Sequence, residues 1–242
     1  MSQTLQEISL SEVIELFDGK KINPDELSSY ENWAMDFFHK EENVREPYLQ
    51  MTLQLDISAA YDVYQRLYKQ LPDATFTAYL MWNLSQTCNN HPAFLYRKIG
   101  NDWYQFKKLP IFCPIAVGGN ARFTEILLEN SQEQSLAAFF VHYKQSLQAV
   151  ADRKQFIPIA PLVWSVALFI GNLPNLQFTG FTLHTPTKKS GRPYFYFGKR
   201  YESEGKKWIP MLLTFDHSNL DPFVISPFIA EFEARIASDQ YL

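Results

Sequence analysis

A chain of 242 residues with 46% hydrophobic content can bury most of its apolar surface in one large domain, so it needs neither a disulfide framework nor a structural metal. A net charge of −4 and a pI near 5.8 lack the basic excess of a nucleic-acid-binding protein. The two cysteines, Cys88 and Cys113, have no C-x-x-C spacing, and acids and polar residues interrupt Met1 to Glu15 too often for a signal peptide.

Leu5 to Phe17 reads as a short amphipathic helix, with Thr4 and Glu7 spaced as a capping box, and Asp18-Gly19-Lys20-Lys21 ends it. Asp25 to Lys40 is a second helix, because Leu27, Tyr30, Trp33 and Phe37 recur at helical spacing. Leu49, Met51, Leu53 and Leu55 alternate, which marks Tyr48 to Ile57 as a strand with one buried face. Ser58 then caps a helix over Ala59 to Gln70, and Phe76 to Asn89 is a mostly buried helix. Phe94 to Ile99 and Trp103 to Leu109 flank the turn signal Gly100-Asn101-Asp102 and read as a hairpin. Cys113 to Val117 is a short strand ended by Gly118-Gly119-Asn120, with Cys113 a small buried hydrophobe. A long helix covers Ser135 to Arg153.

The longest apolar stretch, Phe156 to Leu173, contains Pro158, Pro161 and Gly171 and is too broken to span a membrane. Strands follow at Phe178 to Leu183, Tyr194 to Tyr201 and Trp208 to Phe215. A final helix begins at Pro222 and carries Ile225, Phe228, Ile229, Phe232 and Ile236 on one stripe. Strands alternate with helices, and no linker, repeat or low-complexity tract interrupts them. The expectation is one α/β domain over residues 1–242, a mixed sheet sandwiched with helices, located in the cytoplasm. The aromatic content of 16% is wall material for a pocket or an oligomer interface, or simply an aromatic core.

Chemistry concentrates in Phe215-Asp216-His217-Ser218-Asn219-Leu220-Asp221-Pro222. A strand ends at a histidine, and an aspartate follows four residues on, just before a helix. Strand ends hold side chains rigidly, and an imidazole of near-neutral pKa there can take a proton from a hydroxyl or thiol. Asp221 is placed to accept from backbone amides at the helix N-terminus. H-x-x-x-D alone is a weak motif; a surface or capping histidine would look the same. His39, His91, His142 and His184 have no metal-ligand spacing, no phosphate loop follows Gly118-Gly119, and no serine sits in a nucleophile elbow, so no metal is expected.

The run Lys199 to Pro210 leading into His217 resembles the hairpin before the H-H-x-x-x-D-G signature of chloramphenicol acetyltransferases. Gly171-Asn172-Leu173-Pro174-Asn175-Leu176-Gln177-Phe178, Thr75 to Asn90 with His91-Pro92, Asn32-Trp33 and Leu55-Asp56-Ile57-Ser58 resemble other stretches of that family, in its order. The similarity covers about residues 30 to 238 and leaves residues 1–30 as an N-terminal extension. The resemblance implies a mixed α/β domain assembled as a homotrimer, with each active site between two subunits. Acetyl-CoA would be the co-substrate and a small-molecule hydroxyl the acceptor. It implies that His217 is the general base and that Asp221 is structural, paired with an arginine.

Several residues depart from the family pattern. The first signature histidine is Asp216, the signature glycine is Pro222, and the arginine position is Met35, with Arg45 the nearest downstream arginine. Gly171 stands where the family has a serine that donates to the oxyanion, and Thr179 or a backbone amide is the candidate substitute. Asn175 stands at the tryptophan of the family's Pro-Trp pair, which changes the CoA channel or the pocket wall, and Arg200 replaces a CoA-binding tyrosine next to the matching Lys199. The local run of Lys188, Lys189, Arg192, Lys199, Arg200, Lys206 and Lys207 reads either as a field for CoA phosphates or as a solvated hairpin face. Two functions remain open: an acyltransferase resembling the chloramphenicol O-acetyltransferases, or a catalytically silent relative that binds a ligand or a protein.

Overall fold

A computed structural model describes residues 8–151, 156, 158–184 and 189–239. Helix α1 (Leu10–Leu16) starts at a capping box, in which Ser9 accepts from the Glu12 amide and the Glu12 carboxylate accepts from the Ser9 amide. Strand β1 (Gly19–Lys21) follows, and a second capping box, Ser28 with Glu31, opens α2 (Ser29–Phe37). Strand β2 (Tyr48–Asp56) leads into α3 (Ser58–Val63), which widens into a π-turn over Tyr64–Tyr68. Thr75 caps α4 (Phe76–Asn90), and β3 (Tyr96–Ile99) and β4 (Asp102–Phe106) form the expected hairpin. Strands β5 (Ile111–Gly118) and β6 (Arg122–Leu128) pair antiparallel, and Ser135 caps α5 (Leu136–Val150). The apolar stretch divides into α6 (Pro161–Val166) and β7 (Leu168–Asn172). Strands β8 (Tyr194–Phe197), β9 (Tyr201–Ser203) and β10 (Lys206–Asp216) precede α7 (Pro222–Ile236).

The main sheet has the order β2-β10-β8-β7-β5-β6, with β9 paired to β10. It is mixed: β7 runs parallel to β5 and β8, and the remaining pairs are antiparallel. A smaller antiparallel sheet has the order β1-β4-β3.

Strand periodicity assigns the two faces of the main sheet. Met211 and Leu213 of β10 stand opposite Leu53 and Met51 of β2 and opposite Phe197 and Phe195 of β8. The α7 stripe covers this face: Phe228 stacks on Phe94 at 3.9 Å and meets Phe195 at 5.9 Å, while Phe232 meets Phe197 at 6.2 Å. Ile225, Phe228, Phe232 and Ile236 are all buried, each adding about 1.5–3 kcal/mol of apolar transfer. His91 ties the end of α4 to α7 through Glu231, with Nε2 to Oε2 at 2.9 Å, a structural role for the His91-Pro92 pair. The opposite face carries Gln50, Gln54, Tyr194, Tyr196, Phe169 and Asp216.

The differences from the sequence-based expectations are local. The Thr4–Glu7 capping box and residues 152 and 153 lie outside the described residues; α1 begins at Leu10, capped by Ser9. The second helix is shorter than Asp25 to Lys40, because Pro24–Glu26 forms a separate 3-10 turn. Ser58 does not cap α3: its hydroxyl donates to Asp56 Oδ1 at 2.7 Å and accepts from the Lys207 amide, locking β2 to β10. Strands β1 and β6 were missed, being short or lacking clean alternation.

Phe178 to Leu183 is not a strand of either sheet. Side chains of β2 hold it instead: Gln50 exchanges two hydrogen bonds with the Leu183 backbone, and Gln54 donates to the Phe178 carbonyl. Glutamine amides thus take the place of a neighbouring strand's backbone.

Candidate functional site

Strand β10 ends at Asp216, and His217 begins the turn into α7. The His217 amide donates to the Pro47 carbonyl at 2.9 Å, which ties the turn to the entrance of β2. Phe38, just beyond α2, stacks on the imidazole at 4.3 Å with an interplanar angle of 19°. His217 Nδ1 is shut away from solvent with no hydrogen-bond partner among the described residues. Nε2 is therefore the ring nitrogen not shut away in this manner. A buried polar nitrogen without a partner costs about 1–3 kcal/mol, so the ring is held by packing against an electrostatic cost.

His217 lines a cavity of about 230 Å³ together with Tyr30, Glu31, Asn219, Asp221 and Phe223. The N-termini of α2 and α7 both open onto it, each bringing the positive end of a helix dipole to the cavity wall. Asp221 caps α7: its Oδ1 accepts from the Phe223 amide at 2.8 Å and the Val224 amide at 3.0 Å, as its position before Pro222 led us to expect. Tyr30 approaches the same carboxylate; its phenol is raised above the usual value by burial, with the Asp221 charge adding to it. Arg45 is exposed, and Met35 is buried in α2.

The buried carboxylate of the turn is Asp216. All four of its acceptor positions are filled: Ser218 Oγ and N on Oδ1, His39 Nε2 at 3.0 Å and the Gly191 amide at 3.2 Å on Oδ2. Burial alone would push this carboxyl up, but the His39 and Ser218 hydrogen bonds outweigh it and hold the group below its ordinary value.

A second cavity of about 370 Å³ lies at the α4–β8–β10 corner, lined by Lys199, Arg200, Lys207, Asn172, Thr77 and Tyr61 among others. The Arg200 guanidinium sits over the Tyr61 and Phe76 rings at 5.1 and 5.0 Å, and Lys207 Nζ lies 5.6 Å from the Tyr61 ring. Lys199, Arg200 and Lys207 outnumber the carboxylate of Glu202 in this lining, a balance that suits an anionic, phosphate-bearing ligand. Asn175 and Thr179 are exposed in the segment after β7, and neither lines these two cavities. Gly171 is buried in β7, and a Cβ there would lie 2.3 Å from Cε1 of Tyr196. The Tyr196 ring thus fills the space that a serine at this position would need. Burial pushes the Tyr196 phenol up to about 12.

The structure therefore gathers His217 and Asp221 in one cavity and Lys199 and Arg200 in another, with Gly171 beneath Tyr196 in the sheet. Sequence reasoning missed His39, Phe38, Tyr30 and Tyr196. His39 lies 177 residues from Asp216, so no motif spacing could have found that pair. Cys113 is buried, and burial pushes its thiol up to about 12, which suits a packed side chain and not a nucleophile.

This architecture has solved counterparts. A chloramphenicol acetyltransferase structure matches with a TM-score of 0.74 at 17% identity, over 90% of this chain and 99% of that one. The cubic core of the pyruvate dehydrogenase multienzyme complex matches at 0.60 and 14% identity, over 80% and 82%. The chain shares its fold with these two proteins. The chloramphenicol acetyltransferase family model matches residues 27–233, and the chain belongs to that family. Chloramphenicol acetyltransferases of Staphylococcus intermedius and Staphylococcus aureus are each 28% identical over 113 residues, 46% of this chain and 51% of theirs. The chain thus spans about half the length of the curated relatives it matches. Among the described residues, no helix is long and apolar enough to cross a membrane.

Proposed function

We propose that this protein transfers an acetyl or other acyl group from acyl-CoA to a hydroxyl of a small-molecule acceptor, in the cytoplasm and as a homotrimer. The observation that carries this reading is His217 immediately after strand β10, with Nδ1 buried against the protein and the residue lining a cavity flanked by two helix N-termini. His217 Nε2 takes the proton as the acceptor oxygen attacks the thioester carbonyl. The tetrahedral intermediate collapses, the C–S bond breaks, and the imidazolium returns its proton to the CoA sulfur.

The cationic cavity at Lys199, Arg200 and Lys207 receives the CoA phosphates. It is a different cavity from that of His217, and a site shared between neighbouring subunits would bring the two together. Gly171 and Asn175 stand where the family pattern has a serine and a tryptophan, so the acceptor is one other than chloramphenicol. Residues 1–30 are an extension to the one acyltransferase domain, and within them β1 braces the hairpin of the small sheet by pairing with β4.

The experiment is CoA release from acetyl-CoA with a panel of hydroxylated antibiotics and small alcohols, beside His217→Ala. Release that disappears in the variant supports the reading; unchanged release in a folded variant overturns the role of His217. A second reading, a silent relative that binds a ligand or a protein, is favoured by Tyr196 occupying the serine position at Gly171. No release with any acceptor, together with no CoA binding, selects it.

A further inference from the structure

The arrangement around Asp216 goes beyond the capping of α7. Asp216 is fully buried and faces the side of the sheet that also carries Tyr48 and Tyr194. Its carboxylate takes both Ser218 donors, and its backbone carbonyl takes the Asn219 and Leu220 amides at 3.3 and 3.0 Å. Every residue from 218 to 220 is therefore bonded to this one residue, which braces the turn that carries His217. What fixes Asp216 itself comes from outside the turn: His39 Nε2 and the Gly191 amide on Oδ2.

We propose that His39 is a positioning residue for His217, acting through Asp216 to hold the turn on which the imidazole is mounted. The assignment rests on the acyl-transfer reading only for its consequence in turnover; its geometry stands on its own. The His39 side chain is 4% exposed and stands edge-on to Trp103 at 5.1 Å. Trp103 is braced in turn: its carbonyl accepts from the Ile22 amide of the N-terminal segment at 2.9 Å. Gly191 packs on the Trp103 ring so closely that a Cβ there would lie 2.5 Å from Cζ3, on a backbone at φ +71°. Asn219 closes the circuit by donating to the Gly191 and Ala93 carbonyls.

The N-terminal segment, the small sheet, the end of α2 and the catalytic turn thus converge on one carboxylate. The other charged or titratable groups acting on it are Lys98 of β3 and Tyr48 of β2. Neither is in the hydrogen-bond set of Asp216, and among the described residues His39 is its one side-chain partner from outside the turn. His39 also lines a separate cavity of about 260 Å³ with Asp36, Lys40, Lys98 and Trp103, while its Nε2 is committed to Asp216.

The test compares full-length wild type, His39→Ala, His39→Gln and Asp216→Asn by heteronuclear NMR of the histidine rings across pH and by steady-state CoA release. The expected result is a displaced His217 resonance and an altered His217 titration in His39→Ala and Asp216→Asn. With it, kcat falls roughly 10- to 100-fold while KM for acetyl-CoA stays within about twofold, because a misplaced base loses near-attack geometry without touching the remote cationic cavity. His39→Gln, which keeps an N–H donor, recovers most of what His39→Ala loses. A merely structural contact would lower thermal stability and leave the His217 titration and the split between kcat and KM unmoved; that result in a folded variant overturns the proposal. Should His39→Ala not fold, Asp216→Asn against His39→Gln decides the same question. If no form turns over, wild type included, acyl transfer is refuted, while the His217 resonances still decide whether His39 positions the ring.

Discussion

Placing alanine at Gly171 tests the packing of the sheet against a position that matches a serine in the family pattern. The residue sits in β7 in parallel register with Tyr196 of β8. A Cβ would fall 2.3, 2.4 and 2.9 Å from Cε1, Cδ1 and Cζ of the Tyr196 ring. The glycine has no left-handed backbone angle, so Gly171→Ala carries no dihedral strain and its whole effect is steric. The ring cannot easily swing aside: Phe169 lies 5.2 Å away on one side and Phe181 5.5 Å on the other, and Phe181 belongs to the segment that Gln50 and Gln54 anchor to β2. Overpacking of this kind costs about 1–3 kcal/mol, and at roughly 2–4 °C per kcal/mol for a chain of this size the melting temperature falls by about 2–12 °C. The assay is thermal and urea unfolding of Gly171→Ala, Tyr196→Ala and the double variant at one protein concentration. Removing the ring removes the clash, so the double variant is less destabilised than the sum of the singles by about 1 kcal/mol or more. Wild-type stability for Gly171→Ala, or additivity within about 0.5 kcal/mol, would refute the reasoning.

Loss of the α7 cap in Asp221→Ala lowers unfolding stability by about 0.5–2 kcal/mol, whereas Asp221→Ser, which keeps an acceptor, loses much less; chemical denaturation measures both. Because the folded Asp216 carboxyl is held below its ordinary 3.8, its contribution to stability is present above that value and is lost as the pH falls through the lower folded value. Acid titration of wild type against Asp216→Asn checks the sign: the part of the acid-side loss that belongs to this carboxyl is missing from the variant. Arg200→Ala weakens CoA binding and flattens its salt dependence, since a cation leaves the wall of the larger cavity, and calorimetry at two ionic strengths reads both. The thiols of Cys88 and Cys113 stay unreactive toward a disulfide reagent until the protein unfolds, because both are fully buried.

Much of the fold is written in local patterns. Alternation at Leu49 to Leu55, the caps at Thr75 and Ser135, the Gly100-Asn101-Asp102 turn and the α7 stripe each act over a few residues, so they are legible without tertiary information. The position of His217 at a strand end and of Asp221 at a helix cap is legible for the same reason. The failures share a cause as well. Ser58 has the chemistry of a cap, yet Asp56 and Lys207 claim its hydroxyl, and Phe178 to Leu183 looks like a strand but finds glutamine side chains where a neighbouring backbone would be.

The sequence by itself determined the α/β class, the elements that carry the candidate site and the place of His217 just past a strand end, because each depends on periodicity or on neighbours a few residues away. Tertiary structure alone decided that Asp216 is the buried anchor with His39 as its partner, that Tyr196 occupies the space above Gly171, and that Lys199 and Arg200 line a cavity apart from His217. Those relations join residues up to 177 positions apart, and long-range packing sets them where no local spacing can encode them.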